Sequence, residues 1–114
     1  MKVITATRAL DGETADVAYT GVGFKPSGLI AIAIIDGQDK LCIGIAGGGT
    51  VAKISALGST SYFGTALMVI YDADVAKKQS ATIKSYDSDG VTLTWTRNGA
   101  TGEGTIRFAL MCFR

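Results

Sequence analysis

The stretch that most constrains the fold is the C-terminal third of the chain, residues 81–114. Within it, Val91, Leu93 and Trp95 alternate with threonines. A period of two places apolar side chains on one face of a strand and hydroxyl groups on the other. A turn that begins at Asn98 follows, and after it comes a second, apolar strand. The pattern predicts a compact β protein in which Trp95 is a core residue.

Most of the remaining chain also has the composition of short β-strands separated by turns. The predicted strands cover residues 3–8, 14–20, 29–35, 41–46, 51–55 and 66–71. With the C-terminal strands, about eight or nine strands in 114 residues indicate an all-β fold, an antiparallel β-sandwich of jelly-roll form. We expect a single β-sandwich domain over residues 1–114.

The one stretch with helical character is residues 72–78. Asp72 would cap about two turns of helix, and Lys77 and Lys78 would suit its C-terminal end. The sequence therefore predicts a short connecting helix here, and no helical layer.

A corner is predicted at residues 21–28, between the second and third strands. It contains Gly21, Gly23 and Gly28 together with Pro26, the only proline of the chain. Glycine permits a positive φ or a close backbone approach, and proline fixes one φ and lacks an N–H donor. We therefore expect the chain to change direction here.

Residues 29–35 include no polar residue, which has two interpretations. A strand buried on both faces has this pattern, and so does a strand with one face in the core and the other docked to a partner. Composition leaves a similar choice open. With 47% hydrophobic and 18% charged residues, the chain either shares apolar surface with neighbouring subunits or has a two-layer core rich in small residues.

The net charge is +1, from 11 basic and 10 acidic residues that are scattered along the chain. Because no basic stripe is present, binding of nucleic acid by phosphate neutralisation is not expected. The first residues lack the apolar core of a signal peptide, and the longest apolar run, residues 29–35, is too short to span a bilayer as a helix. We expect a protein that is made in the cytoplasm, has no nucleic-acid or membrane partner, and stays soluble or joins an assembly.

Two cysteines, Cys42 and Cys112, lie 70 positions apart in apolar segments. Neighbouring strands of a sandwich can be distant in sequence, so a disulfide between them is geometrically allowed. Without a secretion signal, the sequence favours buried, reduced thiols.

The chain has no histidine, which removes the commonest general base and metal ligand. Two separated cysteines without histidine cannot form a tetrahedral zinc site. Asp87 to Gly90 resembles the start of a calcium loop, but Thr92 and Asn98 occupy the positions where an EF-hand needs glycine and glutamate. Asp87 and Asp89 are therefore interpreted as residues that shape a turn.

No other motif singles out a reaction. Residues 44–49 are glycine-rich, yet they lack the lysine and the long helix that a phosphate-binding loop needs. The ten carboxylates lie mostly beside turns, and no glycosidase-like pair stands out. We expect no enzyme activity and no catalytic, cofactor-binding or metal-binding residue.

A platform for sugar stacking is an alternative role for the aromatic residues Trp95, Tyr62, Tyr71 and Phe63. Trp95 shares its strand face with apolar neighbours, which favours a place in the core.

Two motifs make the chain resemble small virion proteins of tailed phages and prophages. The first is the corner from Gly21 to Pro26, with a Gly-Phe-x-Pro pattern, before an apolar strand. The second is the segment from Asp87 to Thr96, with an Asp-Gly-x-x-Leu-x-Trp pattern, before an apolar terminal strand. Val91 stands where those proteins often have an aromatic residue. The resemblance covers most of the chain and implies a virion component with a β-sandwich fold.

The chain is similar, to a smaller extent, to the snail-agglutinin (H-type) lectins, which are oligomeric sugar binders. They also place a proline-containing corner before an apolar strand that ends in aspartate, here Ile34, Ile35 and Asp36, and an aromatic-rich strand near the C-terminus. None of their ligand-binding residues can be carried across to this chain.

The phage resemblance, the low charge, the apolar content and the lack of catalytic groups together predict a capsid decoration (cement) protein. It would bind the major capsid protein as a small homo-oligomer, for which a trimer suits sites of threefold symmetry. We expect self-association through apolar strand faces, with glycine-rich loops at residues 47–49 and 98–104 free to contact the shell. Its location would be the virion, after synthesis in the host cytoplasm. The alternative is a carbohydrate- or receptor-binding module of a tail or fibre tip.

Overall fold

The computed structural model describes residues 1–38, 40–47, 50–55, 61–63, 66–72 and 74–114. These residues form ten β-strands and no helix. The strands are β1 (Lys2–Ala9), β2 (Ala15–Thr20), β3 (Gly28–Ile35), β4 (Leu41–Gly47), β5 (Thr50–Ser55), β6 (Ser61–Phe63), β7 (Ala66–Asp72), β8 (Asp74–Asp87), β9 (Gly90–Asn98) and β10 (Thr105–Phe113).

The strands form two antiparallel sheets that pack against each other, so the predicted all-β sandwich is confirmed. One sheet has six strands in the order β1-β10-β3-β4-β5-β6, and the other has four in the order β2-β9-β8-β7. The first two strands thus pair with the last two, which ties the N-terminal third to the C-terminal third. The jelly-roll form is not confirmed, because β3 to β6 run as a meander within one sheet, whereas a jelly roll is built from two Greek keys.

Trp95 lies in the core between the sheets, and its predicted role is confirmed. Its side chain is fully buried. Its ring lies 5.5 Å from that of Phe108, centroid to centroid, and its Nε1–H donates to the Tyr19 hydroxyl at 2.9 Å. The Tyr19 ring meets Phe108 edge-on at 5.3 Å. The indole is therefore both packed and satisfied as a hydrogen-bond donor, as a buried tryptophan requires.

Strand β3 tests one of the two interpretations of the apolar run at residues 29–35. Leu29, Ala31, Ala33 and Ile35 are buried between the sheets, while the intervening residues point outward and two of them are exposed. A strand alternates its side chains between faces, so an all-apolar strand in a two-layer fold must present half of them to the outside. The interpretation with both faces buried is wrong for this chain.

The short helix predicted at residues 72–78 is absent. Strand β7 ends at Asp72, and β8 begins at Asp74 and pairs with β7 and with β9. Within β8 the Gln79 side chain is fully buried, and its Nε2 donates to the carbonyl oxygens of Leu10 and Gly12 at 3.0 and 2.6 Å. The capping aspartate and terminal lysines are a local signal, whereas the strand is set by pairing with β7 at Asp74 and Lys78 and with β9 from Lys78 onward.

The corner at residues 21–28 uses its glycines in the two predicted ways. Gly21 and Gly23 have φ values of 93° and 85°, a region that side chains with a Cβ disfavour. Gly28 begins β3, and a Cβ there would lie 2.8 Å from the carbonyl oxygen of Ala46. Both kinds of glycine are needed for the chain to pass from one sheet to the other at this point.

Gly44 belongs to the interior of β4, although it opens the glycine-rich segment at residues 44–49. A Cβ on Gly44 would collide with the carbonyl oxygen of Leu67 in β7 of the opposite sheet. Glycine therefore lets the two sheets approach closely here. Gly48 and Gly49 of the predicted loop lie outside the described residues.

The two cysteines are buried on different strands and are not bonded to each other. Cys42 in β4 pairs with Ala33, and Cys112 in β10 pairs with Leu29, on opposite sides of β3. Four residues of strand separate those positions by about 13 Å. A disulfide needs Cα atoms within about 7 Å, so this fold excludes the bridge that sequence spacing allowed.

Candidate interaction surface

The outward side of the six-stranded sheet carries a contiguous apolar surface. Strands β3 and β4 place isoleucine and leucine opposite one another in three neighbouring pairs, namely Ile34 with Leu41, Ile32 with Ile43, and Ile30 with Ile45. We call these six side chains the apolar ridge. Single exposed apolar residues are normal on soluble proteins, but a contiguous patch marks an interaction site.

The exposure of the ridge is substantial for side chains of this size. The exposed fractions are 37% for Ile32, 41% for Ile34, 42% for Leu41 and 53% for Ile45. All four point away from the core because their neighbours along each strand are buried. Since the inward positions of β4 are also non-polar, neither face of this strand carries polar side chains that could contact solvent.

An open groove runs beside the ridge, above β10. Ala109 is its floor, because this small residue lies directly between Ile32 of β3 and Thr5 of β1. The groove has a volume of about 700 Å³. Its outward lining residues are Thr5, Thr7, Ile32, Ile34, Arg107 and Ala109.

Charge is nearly absent from this surface. Among the outward side chains of β1, β10, β3 and β4, Arg107 is the charged one. Its Nε donates to both carboxylate oxygens of Asp36, at 2.6 and 2.7 Å. The guanidinium therefore has its counter-ion within the same chain, at one end of the groove.

The opposite side of the molecule has a different chemistry. Strand β9 presents three outward threonines, which pair with hydroxyl residues of β8: Thr92 with Ser85, Thr94 with Thr82, and Thr96 with Ser80. We call this the hydroxyl face. Beside it, Asp16 forms an ion pair with Lys84 and accepts a hydrogen bond from Thr94. The contact with Lys84 is the largest cause of a lowered pKa at the Asp16 carboxyl, and the hydrogen bond from Thr94 lowers this pKa further.

The loop at residues 98–104 is held firmly at one end of the sandwich. Arg97 donates from Nε to the Thr101 hydroxyl and from a terminal nitrogen to the Thr101 carbonyl, both at 2.9 Å. The N–H of Gly102 donates to Asp72 at 2.6 Å. Thr101 is consequently buried, while Ala100 and Glu103 are exposed. The loop therefore presents a preformed surface.

Asp87 and Asp89 shape the β8–β9 turn, as predicted. Asp89 accepts the backbone N–H groups of Gly21 and Gly23, and Asp87 accepts the hydroxyls of Ser85 and Thr92. These hydrogen bonds lower the pKa of both carboxyls. Asp89 thus holds the corner at residues 21–28, and Asp87 links the ends of β8 and β9.

The predicted aromatic residues do not gather into a platform in the part of the chain that is described. Trp95 is buried and Tyr71 is 8% exposed, while the side chains of Tyr62 and Phe63 lie outside the description. Within the described residues, no three histidine, cysteine, aspartate or glutamate side chains form a group that could hold a metal ion.

Sequence analysis missed the hydrogen-bonding roles of Gln79 and Arg97. A lone glutamine or arginine in a strand gives no signal of burial, because its partners are brought in by other strands. The apolar ridge did have a signal. Residues 29–35 and 41–46 both lack polar alternation, and these are the two strands that form it.

Comparison with protein families, with characterised proteins and with solved structures finds no match to this chain. A search of the described residues for a helix long and apolar enough to cross a membrane also finds none.

Proposed function

We propose that this protein is a structural component of a tailed-phage virion, a capsid decoration protein that stabilises the shell by protein–protein contacts. The observation that carries the proposal is the apolar ridge, a contiguous surface of isoleucine and leucine on the six-stranded sheet, with four of its six side chains exposed. Such a surface is suited to permanent burial in an assembly, because leaving it in water is unfavourable in proportion to its area. The resemblance of the corner and the Trp95 strand to phage virion proteins supports the class of assembly.

The two sides of the molecule suit a protein bound at a surface. The apolar ridge favours contact with protein, and the hydroxyl face favours contact with water. In a decoration protein the ridge would join copies of the chain to one another, and the hydroxyl face would stay in contact with the medium. The virion is the proposed location, after synthesis in the host cytoplasm, and the major capsid protein is the proposed partner.

The loop at residues 98–104 is the surface that we assign to the shell. It is preformed by the hydrogen bonds from Arg97 and Gly102, so binding would cost little loop ordering. Ala100 and Glu103 are exposed on this loop, which joins β9 to β10 at one end of the sandwich. A small homo-oligomer joined through its ridges would therefore present several such loops together, which raises the apparent affinity for a repetitive shell.

The proposal is tested by co-sedimentation of the purified protein with capsids that lack it. We expect the wild type to pellet with the shells and to raise the temperature at which they open. The loop variant Glu103→Lys should lose binding without losing stability. The control is Ala18→Lys, which introduces the same side chain on the hydroxyl side and should bind as the wild type does.

A glycan array on the same protein tests the alternative function, a carbohydrate- or receptor-binding module. Sugar binding together with an absence from the capsid pellet would replace the decoration function. Equal pelleting of Glu103→Lys and the wild type would leave the function standing and remove the loop as the shell contact.

A further inference from the structure

We propose that the apolar ridge is covered by a second copy of this chain, in a two-fold pair that inserts the ridge of each copy into the groove of the other. The proposal concerns the isolated protein and does not depend on the capsid function. It also differs from the trimer expected from sequence, because it commits to a self-complementary, two-fold interface.

The ridge and the groove are neighbours on one sheet and have opposite relief. The ridge lies on β3 and β4, and the floor of the groove is Ala109 on β10, the next strand. Adjacent strands are about 4.8 Å apart. A raised row of branched side chains therefore lies directly beside a depression of about 700 Å³. This is the relief that lets one surface interlock with a copy of itself.

A two-fold axis parallel to the strands, placed between ridge and groove, produces the interlocking. Rotation about that axis brings the ridge of one copy opposite the groove of the other, and the reverse contact forms at the same time. The resulting interface is isologous, the type found in most homodimers. Two sheets packed in this aligned way have their planes about 10 Å apart.

The available area is sufficient for such a pair. Strands β1, β10, β3 and β4 have 8, 9, 8 and 7 residues. At about 3.4 Å per residue and 4.8 Å between strands, four such strands present a flat area of about 500 Å². Two copies would thus bury about 1,000 Å² or more, which is the lower limit for a specific protein–protein interface.

Charge is compatible with this arrangement. Rotation about an axis parallel to the strands preserves height along the strand, so Arg107 of one copy lies opposite Ile34 of the other, and the two Arg107 residues lie at the same end of the interface. Each guanidinium keeps its own Asp36 as counter-ion. Each Arg107 thus enters the interface as part of an ion pair without net charge, at the end of the groove, where water can reach it.

The test is sedimentation equilibrium of the isolated chain at micromolar concentration. We expect a species of twice the 11.8 kDa chain mass. Ile32→Lys places a charge in the centre of the ridge, and an isologous interface contains that change twice. The dissociation constant of the pair should therefore rise by at least about 100-fold. Ala18→Lys, on the opposite side of the molecule, should leave it unchanged.

A second variant distinguishes shape from general hydrophobicity. Ala109→Leu fills the groove with apolar atoms and adds no charge, so it should also weaken the pair if the ridge of the other copy occupies that space. Circular dichroism and thermal unfolding of each variant show whether the fold is kept.

Three outcomes would overturn the inference. A wild type that is monomeric at about 100 μM, far above the dissociation constant expected of a specific pair, removes it. A trimer removes the two-fold arrangement, and a folded Ile32→Lys variant that stays dimeric removes the ridge as the interface. If a monomeric wild type binds capsids and Ile32→Lys does not, the ridge belongs to the shell contact and the second copy is excluded.

Discussion

The carboxylate of Asp89 accepts the backbone N–H of Gly23 at 2.6 Å, across 66 positions of sequence. The same carboxylate accepts the N–H of Gly21 at 3.0 Å, and the carbonyl of Asp89 accepts the N–H of Val22 at 3.0 Å. One turn residue therefore holds three consecutive amides of the β2–β3 corner. The two motifs on which the phage resemblance rests are thus in direct contact, and the corner is positioned by the β8–β9 turn.

The first prediction concerns the pH dependence of this contact. Hydrogen bonds from Gly23 and Gly21 lower the pKa of Asp89 below its ordinary value of 3.8. The stabilisation is therefore present above the pKa of the unfolded chain and is lost as the pH falls through the lower folded value. Asp89→Asn should melt at a lower temperature than the wild type near neutral pH, and the difference should shrink in acid below pH 3.8.

The control for this prediction is Asp11→Asn, which changes an exposed aspartate in another turn. It should follow the wild-type melting curve at each pH. A difference between Asp89→Asn and the wild type that persists unchanged at pH 2 would show that the carboxylate charge is not the cause.

The second prediction concerns Trp95. Because the indole is fully buried against Phe108 and bonded to Tyr19, Trp95→Ala should lower the free energy of unfolding by about 3–5 kcal/mol. Chemical denaturation measures it, and Trp95→Phe should cost less because it keeps most of the ring volume. If the alanine variant kept its stability and lost binding to a sugar, the platform interpretation would replace the core role.

The third prediction compares two glycines of the same strand. A Cβ at Gly44 would collide with the Leu67 carbonyl of the opposite sheet, whereas the nearest atom to a Cβ at Gly47 is 3.7 Å away. Gly44→Ala should therefore destabilise the protein by about 1–3 kcal/mol, as overpacking does. Gly47→Ala should stay within about 0.5 kcal/mol of the wild type. Equal effects of the two substitutions in urea denaturation would contradict the close approach of the sheets at β4.

The fourth prediction concerns the thiols. Cys42 and Cys112 are buried on opposite sides of β3, and burial raises the pKa of the Cys112 thiol. Both properties slow reaction with alkylating or oxidising reagents, because the thiolate is the reactive form. A thiol reagent should label neither cysteine in the native protein and both after unfolding. A fast-reacting thiol in native buffer, or an internal disulfide after mild oxidation, would contradict the register of β3 with its neighbours.

The sequence by itself determined the features that depend on local periodicity and on glycine. The alternation at residues 91–96 was sufficient to place β9 and to bury Trp95, since a strand separates its two faces wherever it lies in a fold. The glycines of the corner were likewise identifiable, because tolerance of a positive φ is a property of glycine itself. The apolar run at residues 29–35 allowed, as one of two interpretations, an outward face without polar residues.

The tertiary structure decided the features that depend on which strands meet. Residues 74–78 are strand because β7 pairs with Asp74 and Lys78 and β9 pairs with β8 from Lys78 onward, which no local signal records. The separation of Cys42 from Cys112 follows from their register with β3, and the need for glycine at position 44 follows from the approach of Leu67. The groove above Ala109 exists because a small side chain lies between two larger neighbours on other strands. Each of these features depends on contacts between residues far apart in sequence. A register shift of one residue would turn every side chain of a strand to the other face, so the burial of the whole core is what fixes the pairing.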